Sequence, residues 1–140
     1  MSARPHDARH LEVGRLGEDA AAAHLEAKGL RVLERNLVLG RLELDLVCEH
    51  GDTLVFVEVK TRAEGSLASP ADGLTAQKRS RLLRAAQSYL SACDLWHKPC
   101  RFDLVAVWLR AGLVQRIEHT ENAMSADEAR TGRTGAWQPW

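Results

Sequence analysis

Two short runs carry the residues with chemistry to offer. LELDLV at 42–47 sets Glu43 and Asp45 among leucines and a valine, and FVEVKTR at 56–62 sets Glu58 and Lys60 into a similar apolar frame. Charges inside such segments are expensive unless they meet a partner, because a buried unpaired ion loses its hydration. Gly51-Asp52 between the runs is a turn signal, so the runs form a β-hairpin. With residue 50 facing 53, Asp45 falls opposite Glu58 and Glu43 opposite Lys60. Facing side chains share one side of a sheet with Cβ atoms about 5 Å apart, so all four charges converge on one patch. A slip of one residue would scatter them.

Two carboxylates at that separation repel, and each raises the other's pKa unless a cation sits between them. An ion of the Mg²⁺ type is held by one or two carboxylates, with water and phosphate oxygens completing its shell. A neighbouring lysine can orient or deprotonate a water, or offset charge growing on a phosphate. Together these groups are the minimal equipment for phosphodiester hydrolysis. The plain alternative is a cross-strand ion ladder, in which Lys60 pairs with Glu43 while Asp45 and Glu58 bond elsewhere. The D…ExK spacing taken alone does not separate the two readings.

The elements that must position these residues can be read from periodicity. An Ala-rich helix is expected over 12–28, ended by Gly29, with Val13, Leu16, Ala20, Ala23 and Ala27 as its main apolar stripe. On that wheel Glu18 points away from the stripe, as a solvated residue would, although Gly14, Ala21 and Leu25 offer a second packing face beside it. A strand over 30–35 precedes the hairpin. After an irregular loop over 63–73, Thr75 is a good N-cap for a second helix to residue 92, with Leu82, Leu83, Ala86, Tyr89 and Leu90 at helical spacing. Strands follow over 101–109, apolar on both faces, and 113–119. The order helix, three strands, helix, two strands predicts an α/β fold: a mixed central sheet of about five strands flanked by helices. Residues 1–10 read as a flexible N-terminus, 11–124 as the domain, and 125–140, which hold Trp137 and Trp140, as a flexible tail.

The bulk properties narrow the class. The 140 residues suffice for one domain with a real core. Formal net charge is zero, so any nucleic-acid contact must rest on a local basic stripe rather than on the overall field. Three cysteines without framework spacing, and no apolar run long enough for a membrane span or signal peptide, point to a cytoplasmic protein with no membrane partner. Cys93, His97 and Cys100 fit no common zinc spacing. VEVK at 57–60 lacks the glycine-rich loop a kinase would need. Lys78, Arg79, Arg81 and Arg84, with Arg62 beyond the lysine strand, read either as a solvated face or as a track for a phosphate backbone. Arg101 and Asp103 at the head of a strand suit an internal ion pair or cap as well as any catalytic role.

Asp45 followed by Glu58-Val59-Lys60 on a hairpin resembles the PD-(D/E)XK nuclease superfamily. More closely, GRLGEDAAAAHLEAKGL, ERN, LELDLV, VFVEVKTR, QKRSRLLRAAQSYL, RFDLVAV and ENA, in order over about residues 14–123, resemble the YraN family, bacterial proteins with a restriction-endonuclease-like fold. That resemblance implies a Mg²⁺- or Mn²⁺-dependent DNA endonuclease in which Asp45 and Glu58 bind metal, Val59 adds its carbonyl, Lys60 is catalytic and Glu18 completes the metal site. It implies nucleic-acid contacts at Lys78, with Arg62 and Arg81 as further candidates, and admits a homodimer. Through the family's likeness to archaeal Holliday-junction resolvases, it extends the substrates to branched DNA. The alternative within the fold is an inactive module that binds nucleic acid or a protein. Where the family usually reads Gly-Glu-Ile-Asp, this chain has Leu42-Glu43-Leu44-Asp45, so Leu42 replaces a glycine that would let a substrate backbone approach.

Overall fold

The computed structural model describes residues 5–65 and 74–124. The chain runs α1 (Pro5–Ala27), β1 (Arg31–Leu39), β2 (Leu42–His50), β3 (Thr53–Ala63), α2 (Ala76–Cys93), β4 (Cys100–Arg110) and β5 (Leu113–Met124). The strands form one open sheet in the order β1-β2-β3-β4-β5. Only β3 and β4 are parallel, joined through α2; the other neighbours are antiparallel. The fold is thus α/β with a mixed sheet between two helices, and the expected order of elements is observed. The tail over 125–140 and most of the 63–73 loop lie outside the described residues. No helix among the described residues is long and apolar enough to cross a membrane.

Alternation divides the core between the two faces. On the α2 side Phe56, Phe102 and Leu104 pack under Leu82, Leu83, Ala86, Tyr89 and Leu90. Tyr89 meets Phe56 edge-on at a centroid distance of 5.9 Å. On the α1 side Val55, Val57, Val105 and Val107 pack beneath Ala21, Ala22 and Leu25. Each buried valine or leucine here contributes about 1.5–3 kcal/mol by leaving water. Thr75 caps α2 as its type predicts, its hydroxyl accepting from the Lys78 amide at 3.2 Å.

Helix α1 departs from expectation in two ways. It begins at Pro5, not at residue 12, so the helix takes in residues 5–10. It also buries a different face: Val13, Ala23 and Ala27 are exposed, whereas Gly17, Ala21, Ala22 and Leu25 are buried. The cause is a close approach that a wheel cannot show. A Cβ on Gly17 would lie 2.0 Å from Thr61 Oγ1 in β3, so only glycine lets the helix sit this low on the sheet. The small-residue face therefore turns inward, and Glu18 comes with it to a half-buried position.

The hairpin register is as expected from Leu46↔Val57 to His50↔Thr53, but the pairing ends there. Asp45 and Glu58, and Glu43 and Lys60, are not paired across the strands. Beyond Leu46 β2 stays with β1 and β3 stays with β4, and a gap opens between them. Alternation also breaks at this point, since Leu44 and Val47 join the same core cluster despite their odd spacing. Asn36, between the paired Arg35 and Leu37 on β1, has φ of 50°, a left-handed conformation that asparagine tolerates better than most residues.

Candidate active site

The parting of β2 and β3 exposes backbone that a continuous ladder would consume. Asp45 fills part of the gap: its Oδ2 accepts the Val59 N–H at 2.9 Å. A strand residue directs its N–H and C=O toward the same edge, so the Val59 carbonyl faces this gap as well. Glu58 projects to the α2 side and is only 7% exposed. A cleft of about 480 Å³ opens here. Its sheet wall is Arg41, Leu42, Glu43, Asp45 and Glu58, and its helix wall is Thr75, Gln77, Lys78, Arg81 and Leu82.

The two inner carboxylates of this cleft are partnered unequally. Burial first, and then the charge of Glu58, push the Asp45 carboxyl up to about 7, against the pull of the Val59 amide. Glu18 on α1 adds to the rise, so its charge reaches the gap from the other side of the sheet. Glu58 Oε1 lies 2.6 Å from Lys78 Nζ and 3.8 Å from Lys60 Nζ. Burial lowers the pKa of Lys60, and the adjoining Lys78 and Arg62 charges lower it further against the opposing effect of Glu58. Burial also works against a charged Lys78, but its bonds to Glu58 and Lys60 outweigh that, and its pKa is raised. The Lys60–Glu43 rung of the alternative ion ladder is replaced by this Lys78–Glu58–Lys60 group, because β2 has already left β3 at that level.

Asp45, Glu58, Glu43, Lys78 and Arg81 thus share one cleft. Lys60 stands behind its wall against Glu58, Val59 contributes through its peptide group, and Glu18 acts on Asp45 through its charge. Arg62 follows Lys60 on the same face, half buried, with its Nε lacking a partner. Arg81 is exposed at the rim. Sequence reasoning missed Arg41, Thr75 and Gln77 as wall residues; the N-cap at Thr75 was the available signal, since it fixes where α2 begins. No group of three or more His, Cys, Asp or Glu among the described residues is gathered closely enough to hold a metal ion. The donor set nevertheless fits an ion of the Mg²⁺ kind, which needs only one or two carboxylates and keeps much of its water. The repulsion expressed at Asp45 is the kind that a cation relieves.

Fold and cleft together define an α/β protein with a paired-carboxylate site at a split in a mixed sheet. The model of the uncharacterised protein family UPF0102 matches residues 17–107, which span α1 from the Gly17 contact through the hairpin to β4. The chain is 53% identical over 134 residues to a UPF0102 protein of Nitratidesulfovibrio vulgaris strain DP4, covering 96% of this chain and 98% of the relative. It is 48% identical over 118 residues to a UPF0102 protein of Pelotomaculum thermopropionicum, covering 84% and 98%. Against UPF0102 protein LI0223 of Lawsonia intracellularis the identity is 41% over 132 residues, covering 94% and 99%. The chain belongs to the UPF0102 family.

Proposed function

We propose that the cleft is the active site of a divalent-metal-dependent endonuclease of the PD-(D/E)XK kind that hydrolyses phosphodiester bonds in DNA, branched DNA included. The observation that carries this reading is the pairing of Asp45, pushed up to about 7, with a nearly buried Glu58 in a cleft that also holds Lys78 and Arg81. In a plain structural ion pair each carboxylate faces a cation; Glu58 does so at Lys78, whereas Asp45 faces Glu58.

Asp45, Glu58 and the Val59 carbonyl would hold Mg²⁺ or Mn²⁺, with Glu18 near enough to influence Asp45 by charge. Such an ion would supply positive charge to polarise a phosphoryl oxygen. Lys60, with a lowered pKa, is suited to orient a water and accept its proton. Lys78, Arg81 and Arg62 bind phosphate oxygens without reading bases, which suits recognition by DNA shape. A homodimer would present two such clefts to two strands.

The test is a cleavage assay on linear, flapped and four-way-junction DNA with Mg²⁺ or Mn²⁺. Cleavage should be lost in Lys60→Ala, while an intact wild type that cuts none of these substrates with either ion would sink the enzyme reading. A second reading, a silent nucleic-acid or protein-binding module, draws on the 2.6 Å Lys78–Glu58 contact, which in an inert protein is simply a part-buried salt bridge.

A further inference from the structure

The cation nearest Glu58 is not the lysine of the hairpin but Lys78 of α2, at 2.6 Å against 3.8 Å for Lys60. Lys78 has its backbone fixed by the Thr75 cap, yet its side chain remains 33% exposed and has a route to solvent. Lysine suits a movable contact, being a compact charge on a flexible four-carbon stem. Glu58 needs such a partner, because a carboxylate this buried is costly without one.

A divalent ion on the same carboxylate changes that balance. With a metal–oxygen distance of about 2 Å, an ammonium still at its present place would lie about 4–5 Å from the ion. Like charges at that range in a poorly solvated cleft repel strongly. Lys78 and the ion therefore compete for Glu58. Arg81, one turn further along α2, and Gln77 beside it line the same cleft, so the ammonium has a polar wall to move along. A phosphate oxygen there would be its next acceptor.

We propose that Lys78 is the resident counter-ion of Glu58, occupying the carboxylate until a divalent metal displaces it and its ammonium turns to pair with the substrate phosphate. The proposal rests on the metal-dependent reading of the cleft and assigns Lys78 a gating part in it. It follows that removing Lys78 strengthens metal binding even as it weakens the hold on substrate, a split that a simple phosphate-binding lysine would not produce.

The experiment is Mn²⁺ binding, without nucleic acid, followed by electron paramagnetic resonance of the free ion on the full chain. Lys78→Met should bind Mn²⁺ roughly tenfold more tightly than wild type or better, given the usual strength of a charge-assisted hydrogen bond. Arg81→Met, which removes a cleft charge that does not touch Glu58, should stay within about threefold of wild type. Because Lys78→Met removes the nearer of the two lysines on Glu58, thermal melting with and without Mn²⁺ runs alongside, and Lys78→Gln provides a neutral variant that keeps a donor for Glu58. Both variants should gain more melting temperature from Mn²⁺ than wild type does. Equal or weaker Mn²⁺ binding in Lys78→Met and Lys78→Gln overturns the proposal but leaves the metal site standing. Equal tightening in Arg81→Met overturns it in favour of a diffuse field. Absence of binding in wild type and both Lys78 variants removes the metal reading and this proposal together.

Discussion

Two aspartates, one on each face of the sheet, stand in similar company and end up in opposite states. Asp103 on β4 is 2% exposed and fully engaged. The Arg101 Nε donates to both its oxygens at 3.1 and 3.2 Å, the Asn122 amide donates at 3.1 Å, and the His119 Nε2 lies at 2.7 Å. The far nitrogen of His119 meets Lys28 at 2.8 Å. This cluster ties β4 to β5 and to the end of α1, with every oxygen of the carboxylate occupied. Asp45 on β2 has one backbone donor and faces another carboxylate, and its pKa rises to about 7. The contrast teaches that charge among apolar residues is not itself a sign of function. What marks the α2-side cleft is a largely buried carboxyl held against a second carboxylate, with a backbone amide as its donor.

Substitutions should separate the two regions, and the largest effect belongs to the cleft. On the proposed nuclease reading, Lys60→Ala should lower DNA cleavage by about 10²–10⁴-fold, the usual contribution of a positioned proton acceptor, with little change in melting temperature. Asp103→Ala should do the reverse in kind: it strands Arg101 and His119 and costs about 3–5 kcal/mol of stability by chemical denaturation. If Asp103→Ala melts like wild type, the comparison fails on its structural side. Gly17→Val should cost about 1–3 kcal/mol, because the new side chain meets Thr61 and lifts α1, carrying Glu18 away from Asp45.

A smaller and more diagnostic effect concerns pH. The folded-state pKa of Asp45, about 7, stands above its ordinary 3.8, so the native state binds the proton more tightly than the unfolded chain. Stability attributable to this group therefore falls as pH rises from about 4 to about 7 and stays reduced above that. Asp45→Asn should remove the slope and raise stability at pH 8 by on the order of 1–3 kcal/mol, measured by denaturation across that range. A variant less stable than wild type at pH 8 would contradict the strain assigned to the cleft. Glu43→Ala, exposed on the same wall, should shift stability by no more than about 0.5 kcal/mol.

Much of this was legible in the chain because it follows short-range rules. Strand alternation, the Gly51-Asp52 turn and the Thr75 cap define the hairpin and the start of α2, and hence the neighbourhood of Asp45 and Glu58. Three things were not legible. The buried face of α1 depends on a tertiary contact, Gly17 against Thr61, that outweighs the wheel's larger apolar stripe. The ladder's end at Leu46–Val57 reflects competition between β1 and β4 for the two hairpin strands, which no hairpin rule contains. The pairing of Lys78 with Glu58 joins residues brought together only by the β3-α2-β4 crossover. Where local and long-range preferences agree, the reading holds; the cleft exists because they diverge at Asp45.

The most direct test is a crystal of the protein grown with Mn²⁺ and measured at the manganese absorption edge. A single strong anomalous peak is expected in the gap between β2 and β3, bonded to Asp45 and Glu58, with Lys78 withdrawn from Glu58. A map with no peak there, and Lys78 still seated on the carboxylate at saturating Mn²⁺, would contradict that expectation.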